Sequence, residues 1–164
     1  MGQIAKRLAE LQIALPTPAA PVANYCAFVR TGGIAPGALP NLWISGQLPL
    51  GADGKLADAA KGKLGPDSPP ETARAAARLC AINVLAQAQA ALGDLDKVVR
   101  LIRLGGYFNV SGAFDALPQA MNGASDLMVE VFGDKGRHAR TTVGVAHLPM
   151  NALAEVEAVF EIGF

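Results

Sequence analysis

Arg140 and Glu155 are the residues whose types and spacing point most directly to chemistry. The planar guanidinium of an arginine grips a carboxylate through two parallel hydrogen bonds. A glutamate nearby can orient or activate a water. Together they suit a small acid that is attacked by water. Both residues lie in strand-like stretches, 139–146 and 154–162. Alternate side chains of a strand share a face, which groups Arg140, Thr142 and Gly144 against Thr141, Val143 and Val145. In the later stretch Glu155, Glu157 and Glu161 share one face, and Ala154, Val156, Ala158, Phe160 and Ile162 face the core. Charge on a solvent-facing strand has the same spacing, so spacing alone does not define a site.

Geometry adds a constraint. In a tight hairpin Glu155 would sit near position 145, and at about 3.3 Å per residue Arg140 would lie on the order of 15 Å away. The two residues share a pocket within one chain only if their strands are not hairpin partners. Otherwise a neighbouring copy must bring them together.

Other candidates for chemistry are weaker. His138 and His147 lack partners at metal-ligand spacing, so no metal is expected. Ser45 is not in a G-x-S-x-G elbow, and no Ser-His-Asp order stands out. Cys26 and Cys80 have no activating neighbour in sequence and read as reduced, mostly buried thiols of a cytoplasmic protein. Gly32-Gly33 is too short to cradle a phosphate, and Trp43 reads as a core or subunit-contact residue. No cofactor is expected.

Several elements must position these residues. Ile4, Leu8, Leu11 and Leu15 recur at helical spacing, so residues 1–15 are expected to form a helix that docks on a single body spanning 16–164. Pro16, Pro18 and Pro21 then impose an extended segment. Strands are expected near 25–30 and 42–45, with a Gly- and Pro-rich turn region between them. Residues 51–70, rich in Gly, Asp, Lys and Pro, read as a long surface loop. The clearest helix covers 69–92, with Ser68 as cap, Glu71 completing a capping box and Gly93 as the stop. Ala73, Ala76, Ala77, Cys80, Val84, Ala88 and Ala91 form a small-residue stripe along it. A buried strand over 97–109 contains Gly105-Gly106, the mark of a bulge or a close approach. A second helix is expected over 116–132, capped by Asp115 and ended by Gly133. This order predicts an α+β fold with two long helices covering one face of a sheet.

Composition narrows the classes. The 164 residues suit one domain. Hydrophobic residues make up 51% and charged residues 17%, with mean hydropathy +0.29, as expected if subunit contacts cover part of the surface. Net charge is zero and aromatics are 5%, which argues against a nucleic-acid partner. The N-terminus lacks the apolar run of a signal peptide, and no stretch is expected to reach membrane-span length.

At the level of whole segments the chain resembles the YjgF/RidA family. The matching pieces are A-R-T-T-V-G-V-A-H-L-P from Ala139, A-E-V-E-A-V from Ala154, N-L-W-I-S-G-Q-L-P from Asn41, A-N-Y ending at Tyr25, and G-D-L-D-K-V-V-R from Gly93. Their order and approximate spacing agree over most of 25–157. The resemblance implies a mixed six-stranded sheet of chorismate-mutase-like type and a cytoplasmic homotrimer with pockets between subunits. By that likeness Arg140 would hold a substrate carboxylate and Glu155 would position the hydrolytic water. Tyr25, Ser45 and Gly46 would line the pocket. Thr142 stands where many family members have a cysteine, and Asn122 is similar to a pocket asparagine.

The implied activity is hydrolysis of reactive 2-imino or enamino acids to 2-oxo acids with release of ammonia. A non-catalytic trimer that binds small carboxylates is the alternative. The ribonuclease activity attached to some family names fits poorly with neutral charge and few aromatics. The extra N-terminal helix, the 51–70 stretch, and the segments N-G-A-S-D-L from Asn122 and G-R-H-A-R from Gly136 depart from the family pattern and resemble a divergent branch.

Overall fold

A computed structural model describes residues 2–33, 35 and 37–163. The elements are α1 (Gln3–Glu10), β1 (Phe28–Gly32), β2 (Pro40–Gln47), α2 (Pro70–Leu92), β3 (Val98–Asn109), α3 (Leu117–Phe132), β4 (Ala139–Val145) and β5 (Ala154–Ile162). Among the described residues the strands form one five-stranded sheet in the order β1-β2-β5-β3-β4. Only the β3–β4 pair is parallel, so the sheet is mixed and the fold is α+β. The sixth strand expected from the family resemblance is missing from the described residues. In the 51–70 stretch glycines and prolines interrupt the ladder, which leaves single bridges such as Lys61 to Ala152 and Leu64 to Val110.

That stretch is also more than a surface loop. Leu56 and Ala60 are buried against Leu148 and Ala152 in a small second core, and Leu64 enters the main one. Lys63 Nζ donates to Asn109 Oδ1 at 2.6 Å and to the carbonyl of Ala146. Asn109 Nδ2 in turn donates to Asn151 Oδ1 at 3.1 Å. These bonds tie the stretch to the turn before β5.

α2 and α3 lie on one face of the sheet. The small-residue stripe of α2 is buried at Ala73, Ala76, Ala77, Cys80, Val84 and Ala88, with Ala91 partly so. Ala81, Leu85, Ala86, Asn83 and Gln87 are buried as well, because α2 contacts the sheet and α3 at once. Its 23 residues are long and apolar enough to cross a membrane, contrary to expectation, and 61% of the most apolar window is buried inside this fold. Gly123 permits the close approach of the helices, since a Cβ there would run into the carbonyl of Arg74. Arg74–Asp126 and Arg78–Glu130, both at 2.8 Å, bridge the rim of this contact.

The expected caps are not formed. Pro69 is the N-cap of α2, and the Ser68 hydroxyl accepts from Gly65 N–H at 2.9 Å instead. Ala116 rather than Asp115 is the N-cap of α3. Both helices do end at their glycines, with φ of 73° at Gly93 and 61° at Gly133. α1 stops at Glu10. Leu8 is buried and Ile4, Leu11 and Leu15 pack partly against the main core. The backbone N–H groups of Gln3 and Ile4 donate to the Asp96 carboxylate, both at 2.7 Å, which anchors the open N-terminus of α1.

Among the described residues, the opposite face of the sheet carries no α-helix. Arg103 Nη1 donates to Glu157 Oε1 there at 2.8 Å, and Tyr107 Oη donates to the same oxygen at 3.1 Å. Val29 and Trp43, paired across β1 and β2, are each 49% exposed. Gly105-Gly106 marks a close approach and not a bulge. A Cβ at Gly105 would meet Glu157 Oε1 at 2.6 Å, and one at Gly106 would strike the Met121 sulfur. Cys80 is buried as expected, and burial pushes its thiol well above the usual range, whereas Cys26 is exposed because it precedes β1 in an irregular segment.

Candidate active site

Glu155 opens β5 on the face that carries Glu157, and it projects over β2 where that strand is irregular. The β2–β5 register shifts between Ile44 and Gln47, at Ser45-Gly46. Such a bulge re-aims the chain and is common beside active sites. Gly46 is required there: a Cβ would land on Glu155 Oε1, and its distance to Glu155 Cδ would be 2.7 Å. The glycine thus leaves the space that the carboxylate fills. Ser45 fixes the neighbouring backbone by donating its hydroxyl to the Cys26 carbonyl at 2.7 Å.

Glu155, Gly46 and Tyr25 line one cavity of about 400 Å³. Its remaining wall is largely apolar and includes Ala20, Val22, Leu48 and Met150. Burial holds the Glu155 carboxyl above the usual carboxylate range, and the nearby charge of Glu157 pushes the same way. A carboxyl so shifted is better matched to proton transfer near neutral pH than an ordinary glutamate.

Arg140 lies elsewhere. It sits on the edge strand β4 and turns toward α3. Its Nη1 donates to Asn122 Oδ1 at 2.8 Å and Ser125 Oγ at 3.1 Å, and Nη2 donates to the Pro118 carbonyl at 3.2 Å. A guanidinium has five N–H donors. Nε–H and one Nη2–H therefore remain without a partner among the described residues. Thr142 follows two residues along β4, and its buried hydroxyl also lacks a partner among the described residues.

The seven sequence-derived site residues thus divide into two groups: Tyr25, Gly46 and Glu155 at the cavity with Ser45 beside them, and Arg140, Asn122 and Thr142 at the β4 edge. β4 and β5 are not hairpin partners, because β3 lies between them. Tyr107 of β3 pairs with Glu155 on one side and Val143 on the other. Arg140 is three residues from that row and two strands away, on the order of 14 Å. The two groups also face opposite sides of the sheet.

Sequence reasoning missed part of the cavity. Gln87 donates to the Ala19 carbonyl at 2.8 Å and to Gln47 Oε1 at 3.4 Å, which holds the extended N-terminal segment over the cavity. The signal available was a glutamine within an alanine-rich stripe. Met150 and Asn151 adopt positive φ, 56° and 55°, in the turn before β5; asparagine is a residue type that enters this region readily, whereas methionine gives no such signal.

Comparison with known proteins agrees with this architecture. The family model described as "YjgF/chorismate mutase-like, putative endoribonuclease" matches residues 5–162. Protein TCP17 of Trypanosoma cruzi is 44% identical over 98% of this chain and 95% of its own length. The crystal structure of Atu1372 from Agrobacterium tumefaciens, a protein of unknown function, is 43% identical with a TM-score of 0.84, covering 97% of this chain and 92% of that one. RidA from an Antarctic Psychrobacter shares the fold at 22% identity and a TM-score of 0.59, over 89% of this chain and 94% of its own. The chain belongs to the YjgF/RidA family, in a branch divergent from RidA itself.

Proposed function

We propose that this protein hydrolyses 2-imino or enamino acids to 2-oxo acids and ammonia, in pockets completed between subunits of a homotrimer. The observation that carries this reading is the cavity that places the raised-pKa carboxyl of Glu155 against an apolar wall. Family membership supports it, as does Arg140, whose free N–H donors at a strand edge suit a carboxylate. Two groups of residues on opposite faces of one chain form one pocket when the β4 edge of one copy meets the cavity of another. The exposed Trp43 and Val29 give the helix-free face an apolar contact surface.

In this reading Arg140 binds the carboxylate and sets the C=N carbon before Glu155. Glu155 takes a proton from water as its oxygen bonds to that carbon. The carboxyl then returns that proton to the nitrogen, which gives a carbinolamine; Glu155 next takes the proton of the new hydroxyl and passes it to the nitrogen as the C–N bond breaks, so that ammonia and the 2-oxo acid leave. The apolar wall of Val22, Leu48 and Met150 suits imino acids with bulky apolar side chains.

An amino-acid oxidase supplies 2-imino acids, and semicarbazide traps what is not hydrolysed. The wild type should suppress trapping, most strongly with leucine or methionine as the source. Arg140→Ala should not suppress it. Equal suppression by the two proteins would overturn the assignment. A non-catalytic carboxylate-binding trimer is the other reading, and 2-oxo acid binding without suppression by any imino acid would favour it.

A further inference from the structure

Segments 122–127 and 136–140 meet at Arg140. Ser125 Oγ lies 3.0 Å from His138 Nε2 and 3.1 Å from Arg140 Nη1. His138 Nδ1 lies 2.6 Å from the carbonyl oxygen of Gly136. A carbonyl only accepts, so Nδ1 carries the proton. In the neutral ring Nε2 is then an acceptor, and the Ser125 hydroxyl donates to it. With its proton committed there, Ser125 Oγ turns a lone pair toward Arg140. The result is a chain with one direction: Arg140 to Ser125 to His138 to the Gly136 carbonyl.

The fold builds this chain deliberately close to α3. A Cβ at Gly136 would strike the Met128 carbonyl, so only glycine lets the 133–136 turn pack there and set its own carbonyl beneath the imidazole. Burial lowers the His138 pKa and the charge of Arg140 lowers it further, while the Gly136 bond works the other way. The net lowering keeps the ring neutral near pH 7.

We infer that Ser125 and His138 are positioning residues that fix the Arg140 guanidinium with its Nε–H and one Nη2–H presented to a substrate carboxylate. This rests on the reading of Arg140 as the carboxylate binder. Neither residue touches the substrate. Each acts through the hydrogen-bond partner it gives to the next.

The test is calorimetric binding of 4-methyl-2-oxopentanoate to the full-length protein, with ¹⁵N NMR of the imidazoles. Wild type should bind and Arg140→Ala should lose binding. Ser125→Ala should weaken binding about tenfold, as expected for one charge-assisted bond. Ser125→Thr, which keeps the hydroxyl, should restore it, and His138→Phe should match Ser125→Ala. The His138 spectrum should show a neutral ring protonated at Nδ1. Wild-type affinity in Ser125→Ala, with binding lost in Arg140→Ala, would overturn the inference and leave the carboxylate reading intact. No binding by wild type, or unchanged binding in Arg140→Ala, would remove that reading and the inference with it. A ring protonated at Nε2 would overturn the chain whatever the affinities.

Discussion

Replacing Gly46 with alanine should disable the site and leave the fold standing. The added Cβ would land on Glu155 Oε1 and lie 2.7 Å from Cδ and 3.0 Å from Cγ. Gly46 is not among the positive-φ glycines, so alanine meets no backbone penalty there. The conflict is with the far end of a flexible side chain, which must move by about 1 Å or more. Turning it off its rotamer costs about 1 kcal/mol, and a misplacement of that size slows a reaction by roughly 100-fold. The oxidase-coupled trapping assay would therefore show kcat/KM down about 100-fold, while the denaturation midpoint shifts little. A double-mutant cycle isolates the cause. In a Glu155→Gln background, Gly46→Ala should reduce the residual rate by less than about threefold, because the carboxylate it displaces is already gone. Wild-type kcat/KM in the single variant, or the full loss repeated in the glutamine background, would refute the argument.

Other expectations concern stability and assembly. Glu155 has a folded-state pKa above its unfolded value, so ionising it costs stability. That cost is absent below the unfolded pKa and grows as pH rises to the folded one. Glu155→Gln should thus raise the urea midpoint at pH 7 and lose that advantage on acidification, while hydrolysis fails; a midpoint gain that persists in acid would contradict this. Gly123→Ala forces a Cβ onto the Arg74 carbonyl, where backbone cannot yield cheaply. It should destabilise the fold by about 1–3 kcal/mol in urea denaturation, and an unchanged midpoint would mean that the helices are not so closely packed. Trp43→Asp places a charge on the helix-free face, and light scattering should show the proposed trimer dissociating; an unaltered mass would exclude that face from the assembly.

The order of elements, the stripe of α2 and the glycine stops at Gly93 and Gly133 were legible in the sequence, because each depends on neighbours a few residues apart. The caps were misread for a related reason. Ser68 and Asp115 have suitable side chains, but the Ser68 hydroxyl is taken by Gly65 N–H, a choice set by how the 51–70 stretch returns to the sheet. The same stretch looked like surface loop, since Leu56, Ala60 and Leu64 show no period and find their partners only at Leu148, Ala152 and Val110.

By itself, the sequence determined which residues are available to the site: Arg140 and Glu155 on alternating faces of two strands, Tyr25 and Ser45-Gly46 far upstream, and the family pattern that links them. Tertiary structure alone decided how they are distributed. Insertion of β3 between β4 and β5 separates Arg140 from Glu155, the bulge at Gly46 gives the carboxylate its place, and the turn at Gly136 orients His138 toward Ser125. Strand order and close packing are long-range properties of the folded chain. They depend on which surfaces bury each other, and residue spacing carries no record of that.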